Sequence, residues 1–170
     1  MEKKIFHDRR AVKGGNFLSR LFSPGRREAG EERRGGVLSR LIVFSRFPEP
    51  GESKTRLIPA LGPAGAAELH RQMTEHTLQW AKELRERIPL SIEVRYTGRP
   101  LEPFRRWLGP TFSYAEQGDG DLGRRMDRAF QDAFRANLKK VLLIGTDVPD
   151  LSPDLVEGAL VLLNSSDVVL

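Results

Sequence analysis

The chain has 170 residues, of which 39% are hydrophobic and 30% charged, with a formal net charge of +5 and no cysteine. That length supports one domain with a real core. No apolar run approaches the roughly 18 residues of a membrane span, and without cysteine a disulfide framework and thiolate chemistry are excluded. The opening MEKKIFHDRRAVKGG has no uninterrupted apolar segment, which makes it a poor secretory signal and the cytoplasm the default expectation.

The positive charge is not spread evenly. Residues 1–40 hold 11 Lys/Arg against 5 Asp/Glu, whereas residues 41–170 hold 17 against 18. The excess therefore belongs to the N-terminal part, and the remainder lacks the basic face of a duplex-binding domain, so no specific nucleic acid is expected. Residues 1–36 are rich in Arg, Gly, Glu and Ser with scattered apolar residues, and read as a disordered basic extension that buries too little to order itself. Within it Phe17, Leu18, Leu21 and Phe22 match one amphipathic turn that a partner or an anionic surface would accept. Residues 37–170 read as the folded domain.

The folded part opens with Leu41 to Phe44, an apolar run of β-formers stopped by Pro48, Pro50 and Gly51, as a strand entering a parallel sheet would be. The loop that follows ends in Ser53-Lys54-Thr55-Arg56. Gly51 lets a backbone approach a ligand, Ser53 and Thr55 bring hydroxyls, and Lys54 and Arg56 bring one point charge and one planar fork. That chemistry suits a polyphosphate, and it equally describes a solvated turn. A Walker A loop fails on spacing, because Ser53 stands where that motif needs glycine.

Next, Pro63 to Arg87 predicts a long helix with Ala67, Leu69, Met73, Leu78, Trp80, Ala81 and Leu84 inward. His70 and His76 are six apart, which does not suit a metal pair on one helical face. Leu90 to Thr97 alternates as a strand; Pro103 to Leu108 is a short helix with Phe104, Trp107 and Leu108 inward; Thr111 to Gln117 is a third strand. GDGDLGRRM, Gly118 to Met126, leads into a helix through about Asn137 with a face of Leu122, Met126, Ala129, Phe130, Ala133 and Phe134. Lys140 to Thr146 is a strand so apolar that a central place, covered on both faces, is expected. Ser152-Pro153 starts a helix to about Asn164, and Asp167 to Leu170 begins a fifth strand. Strand and helix alternate throughout, which predicts an α/β fold with a mostly parallel sheet between helical layers.

The second chemically informative stretch is VLLIGTDVPDL, Val141 to Leu151, which places Asp147 at a strand tip and Asp150 three residues on. Both are hard oxygen ligands, and Mg²⁺ or Mn²⁺ held by one or two carboxylates bridges readily to phosphate oxygens. In a parallel sheet this tip and the Gly51 to Arg56 loop share one edge, where open α/β sheets bind ligands. The competing reading makes Asp147 and Asp150 turn and capping residues. Asp119 and Asp121 suit a ribose or metal contact and equally a helix cap, and Arg124 and Arg125 either reach a phosphate or sit in solvent.

Three motifs in order, FPEPGESKTRL (Phe47 to Leu57), QGDGDLGRRMDRAF (Gln117 to Phe130) and GTDVPDL (Gly145 to Leu151), resemble the bacterial glycosyltransferase-like family of radical-SAM/selenodomain-associated transferases. That family lies within the GT-A nucleotide-diphospho-sugar transferase superfamily. The pattern is also similar, more distantly, to the guanylyltransferase that activates phospholactate in deazaflavin-cofactor synthesis. The resemblance implies a three-layer α/β/α Rossmann-like fold, a nucleoside-diphosphate sugar or NTP as ligand, and a divalent metal at Asp147 with Asp150 beside it. It also implies phosphate contacts from the loop around Gly51, Lys54 and Arg56, and it does not name the acceptor; Ser53, Thr55 and Asp121 join the candidate nucleotide- and phosphate-binding set on their own chemistry. The family pattern continues past the fifth strand into an aspartate-glycine-glycine-tyrosine turn, so the chain reads as incomplete at its C-terminus, and an uncovered strand there invites association between chains. The expected activity is glycosyl transfer from a nucleotide-activated donor, with Asp147 and Lys54 as the catalytic pair. The alternatives are nucleotidyl transfer with release of pyrophosphate, or a non-catalytic nucleotide-binding fragment.

Overall fold

The computed structural model describes residues 37–170; the expectations for residues 1–36, including the turn at Phe17, Leu18, Leu21 and Phe22, lie outside the described residues. In chain order come β1 (Ser39–Arg46), α1 (Ile58–Arg87), β2 (Leu90–Thr97), α2 (Leu101–Leu108), β3 (Ser113–Glu116), α3 (Leu122–Arg135), β4 (Lys140–Gly145) and α4 (Pro153–Leu162). The strands form one parallel sheet in the order β3-β2-β1-β4. The fold is the expected α/β architecture with helices on both faces.

Register follows from the side-chain pattern. Leu41 aligns with Ile92 and Leu142, and Val43 with Val94 and Ile144. These rows lie on the face packed by Leu78, Trp80, Ala81 and Leu84 of α1 and by Val156 and Leu160 of α4. Slipping one residue would turn every one of these side chains to the other face, so burial locks the pairing. On the second face Ile42, Phe44, Val141 and Leu143 meet Ala129 and Ala133 of α3. Opposite Ile42 and Phe44, however, β2 presents Glu93 and Arg95. Polar residues that alternate with apolar ones along a strand commonly face solvent. Both are buried, Arg95 donating from Nε to Glu93 Oε1 (2.5 Å) and from NH1 to Asp132 Oδ2 of α3 (2.9 Å), while Arg40 NH1 donates to Glu93 Oε2 (2.6 Å).

Several expectations need correction. β4 pairs only with β1 and so lies at an edge of the sheet among the described residues, not at its centre. Its apolar composition reports helices above and below, since Leu142 and Ile144 pack on one face and Val141 and Leu143 on the other. Such composition carries no information about whether the hydrogen-bonding edge has a neighbour. Asp167 to Leu170 forms no strand: the chain leaves α4 through a turn closed by Ser165 N donating to Leu162 O (3.1 Å), and Val168 and Leu170 are exposed.

The buried stripe of α1 runs in its first half through Ala66, Ala67, His70, Thr74 and Thr77, not through Leu69 and Met73, which are only partly covered. Small and polar side chains fit there because that part of α1 lies over the polar tips of β1 and β4, where Thr74 Oγ1 is 3.4 Å from both Ser45 Oγ and Thr146 Oγ1. In α3, Leu122 and Phe134 are exposed because α3 touches the sheet mainly through Ala129 and Ala133. The helix before Pro63 starts earlier than expected, at Ile58, with a break at Gly62 (φ 69°).

Candidate functional site

The β1–α1 loop is built from inside. Ser53 Oγ donates to Phe47 O (3.0 Å) and accepts from Glu49 N (3.2 Å), and Ser53 N and Glu52 N both donate to Glu49 O (3.1 Å each). Gly51 sits at φ 85°, a region that disfavours any side chain, and Lys54 at φ 46°. The loop is tied outward by Arg99 Nε donating to Glu49 Oε2 (2.8 Å), a bond that holds the Glu49 carboxyl below the usual range. Ser53 is thus buried and uses its hydroxyl to shape the loop. Thr55 and Arg56 form an exposed 3₁₀ turn, Thr55–Leu57.

The left-handed turn at Lys54 sends its side chain toward β4. Lys54 Nζ donates to Asp147 Oδ1 at 2.7 Å, joining residues 93 apart in sequence. The structure therefore brings together the cationic loop and the acidic strand tip. Asp150 is exposed in the turn closed by Leu151 N donating to Val148 O (3.1 Å). After it Ser152 caps α4, its hydroxyl accepting from Leu155 N (3.3 Å), so capping falls to Ser152 and not to either aspartate. An open groove of about 220 Å³ is lined by Leu69, Gln72, Met73, His76, Thr146 and Pro149.

Two buried polar residues outside the expected site support this edge. Gln117 Nε2 donates to Ser45 O (3.3 Å) and Arg95 O (2.9 Å), stitching the ends of β1 and β2 to the start of the third loop. His70 Nε2 lies 2.9 Å from Arg46 O, which makes it the protonated ring nitrogen, while Nδ1 is buried without a partner. Burial lowers the His70 pKa, opposed by the hydrogen bond to Arg46 O, with Lys54 lowering it further and Asp147 raising it. The folded protein thus prefers neutral His70. Its stabilising effect is complete above the ordinary histidine value of about 6.5 and is lost as pH falls through the window below it. Thermal unfolding between pH 7.5 and 5 should show a drop that is shallower in His70→Gln; parallel profiles would refute this role.

The third loop is clamped by arginines. Arg128 NH1 donates to Gln117 O (2.6 Å) and NH2 to Asp119 O (3.0 Å), and Arg125 Nε donates to Gly120 O (2.8 Å). Asp121 Oδ1 accepts from Arg124 N (2.9 Å) and caps α3. Gly118 lies against Arg128, where an added Cβ would come within 2.4 Å of NH1, so glycine admits the clamp. Arg125, considered from sequence for phosphate, is here spent on backbone.

Among the described residues no group of three or more His, Cys, Asp or Glu could hold a metal. The donor chemistry at Asp147 still fits Mg²⁺ or Mn²⁺, which are commonly held by one or two carboxylates with phosphate oxygens and water completing the shell. A metal there would depend on its ligand, not on a protein cage.

Residues 77–170 match the family described as "Uncharacterized protein conserved in bacteria (DUF2064)". The chain belongs to the DUF2064 family. Its fold is similar to the crystal structure of a protein titled "putative nucleotide-diphospho-sugar transferase" from Desulfovibrio desulfuricans G20, at 35% identity and a TM-score of 0.68. That similarity covers 75% of this chain and 55% of the other, so the chain spans little more than half of that protein's length. A comparison with curated proteins found no match. The likeness supports the nucleotide-diphospho-sugar transferase superfamily for this DUF2064 member. Among the described residues no helix is long and apolar enough to cross a membrane.

Proposed function

We propose that this DUF2064 chain binds a nucleoside-diphosphate sugar at the C-terminal edge of its sheet and serves glycosyl transfer to an acceptor. The observation that carries the reading is the 2.7 Å approach of Lys54 to Asp147, which sets a cation suited to a diphosphate beside a carboxylate suited to a divalent metal. The likeness to the Desulfovibrio protein supports the same ligand class. In this reading Lys54 binds and orients the diphosphate, Arg56 stands exposed at the adjoining turn as a second cation, and the Ser53 bonds keep the loop open around Gly51. Asp147, with Asp150 in the same turn, would hold Mg²⁺ or Mn²⁺. When bound, such an ion neutralises charge that develops on the leaving diphosphate. Asp121 caps α3 through Oδ1 and is exposed, so its second oxygen is the atom that would meet the nucleotide.

The test is thermal unfolding with UDP, GDP, CDP and dTDP, their sugars and NTPs, each with and without Mn²⁺. A ligand at 100 times its dissociation constant should stabilise by about 2.7 kcal/mol, and the metal-dependent part of the shift should vanish in Asp147→Ala. An unchanged shift in that variant, or no shift with any nucleotide, defeats the reading. Release of pyrophosphate from an NTP would reassign the chain to nucleotidyl transfer.

A further inference from the structure

Lys54 and Asp147 occupy each other. The Lys54 side chain is 12% exposed and that of Asp147 73%, so the cation is largely covered and the carboxylate it contacts is open to solvent. A bare anion reaching Nζ meets that carboxylate first. A bare divalent cation reaching Asp147 lies against an ammonium, and the like charges repel. A metal-complexed diphosphate relieves both conflicts at once: its oxygens take over Lys54 as its cation takes over Asp147.

Resting on the nucleotide reading above, we propose that Lys54 and Asp147 form an exchange pair, which makes the site take a diphosphate as its divalent-metal complex in preference to either component alone. Each component then releases the side chain that the other needs, and linkage makes the benefit reciprocal. The consequence is counter-intuitive: deleting either side chain strengthens binding of the component that the other side chain holds.

The full chain would be titrated with Mn²⁺ alone, followed by the electron paramagnetic resonance signal of the free ion, and with inorganic pyrophosphate alone in chelator, followed by calorimetry. Asp147→Asn should bind bare pyrophosphate about fivefold or more tightly than wild type, and Lys54→Met should bind bare Mn²⁺ about fivefold or more tightly, in the usual range of coupling between sites. Asp147 is exposed, so Asp147→Asn carries the test alone if Lys54→Met does not fold, as judged by circular dichroism. Equal or weaker pyrophosphate binding by a folded Asp147→Asn overturns the exchange pair. If the variants behave as expected while no nucleotide sugar binds with Mn²⁺, the pair stands and the nucleotide reading falls. If metal-dependent binding of a nucleotide sugar is lost in Asp147→Ala while Asp147→Asn binds bare pyrophosphate no more tightly than wild type, the pair falls and the nucleotide reading stands.

Discussion

Phe104→Ala should destabilise the domain by about 3–5 kcal/mol, the usual cost of deleting a buried phenylalanine. Phe104 is fully buried, with its ring centroid 5.4 Å from Phe47, 5.2 Å from Tyr96 and 5.9 Å from Trp107. It is the hub through which α2 reaches β2 and the first residue of the β1–α1 loop. Against a total stability of about 5–15 kcal/mol this is a large fraction, and denaturant melts should show it as a lower midpoint with little change in slope. Because Phe47 leads directly into the bonds that Ser53 makes, the variant should also weaken whatever ligand the loop holds. Phe104→Leu, which leaves a smaller cavity, should cost markedly less. A loss below about 1 kcal/mol for Phe104→Ala would show that the neighbouring rings collapse into the space.

The second large effect is expected at Arg95. Its side chain is 4% exposed and holds Glu93, at 8%, and Asp132. Arg95→Met should cost about 3–5 kcal/mol, because breaking a buried pair leaves a carboxylate with too few partners. Arg40 remains on Glu93 at 2.6 Å and should keep the loss toward the lower end. The double variant Glu93→Val with Arg95→Val should recover part of that loss, since β-branched residues fit a strand and the buried carboxylate is gone, while Arg40, 20% exposed, loses its carboxylate partner. A double variant as unstable as Arg95→Met would instead mean that the link from β2 to α3 through Asp132 supplies the stability. Chemical denaturation of the three proteins at constant pH decides between these outcomes.

The sequence was legible wherever a local pattern answers a local question. The α/β alternation follows from apolar runs such as Leu41 to Phe44 set between helical periods, and Ser152-Pro153 starts α4 as its composition requires. It was misleading where one pattern fits two environments. Glu93 and Arg95 alternate with Ile92 and Val94 as solvent-facing residues would, yet they are paired beneath α3, and only the position of Asp132 reveals it. His70, Thr74 and Thr77 break the expected apolar stripe because α1 passes over hydroxyl-bearing strand tips, a fact of packing and not of helix period.

By itself the sequence determined the parallel α/β class, the loop chemistry at Gly51 to Arg56, the carboxylate at the tip of β4 and the shared edge on which both lie. Each of these depends on residue type and on the two backbone periods. Tertiary structure alone decided how those groups are used. It turned Ser53 inward, committed Asp121 and Ser152 to helix caps, and spent Arg125 and Arg128 on backbone carbonyls. It also closed Lys54 onto Asp147 across 93 residues and, among the described residues, left β4 with a neighbour on one side only. The physical reason is that a side chain's partner is set by what the fold carries to within hydrogen-bonding distance. Separation along the chain does not encode that distance.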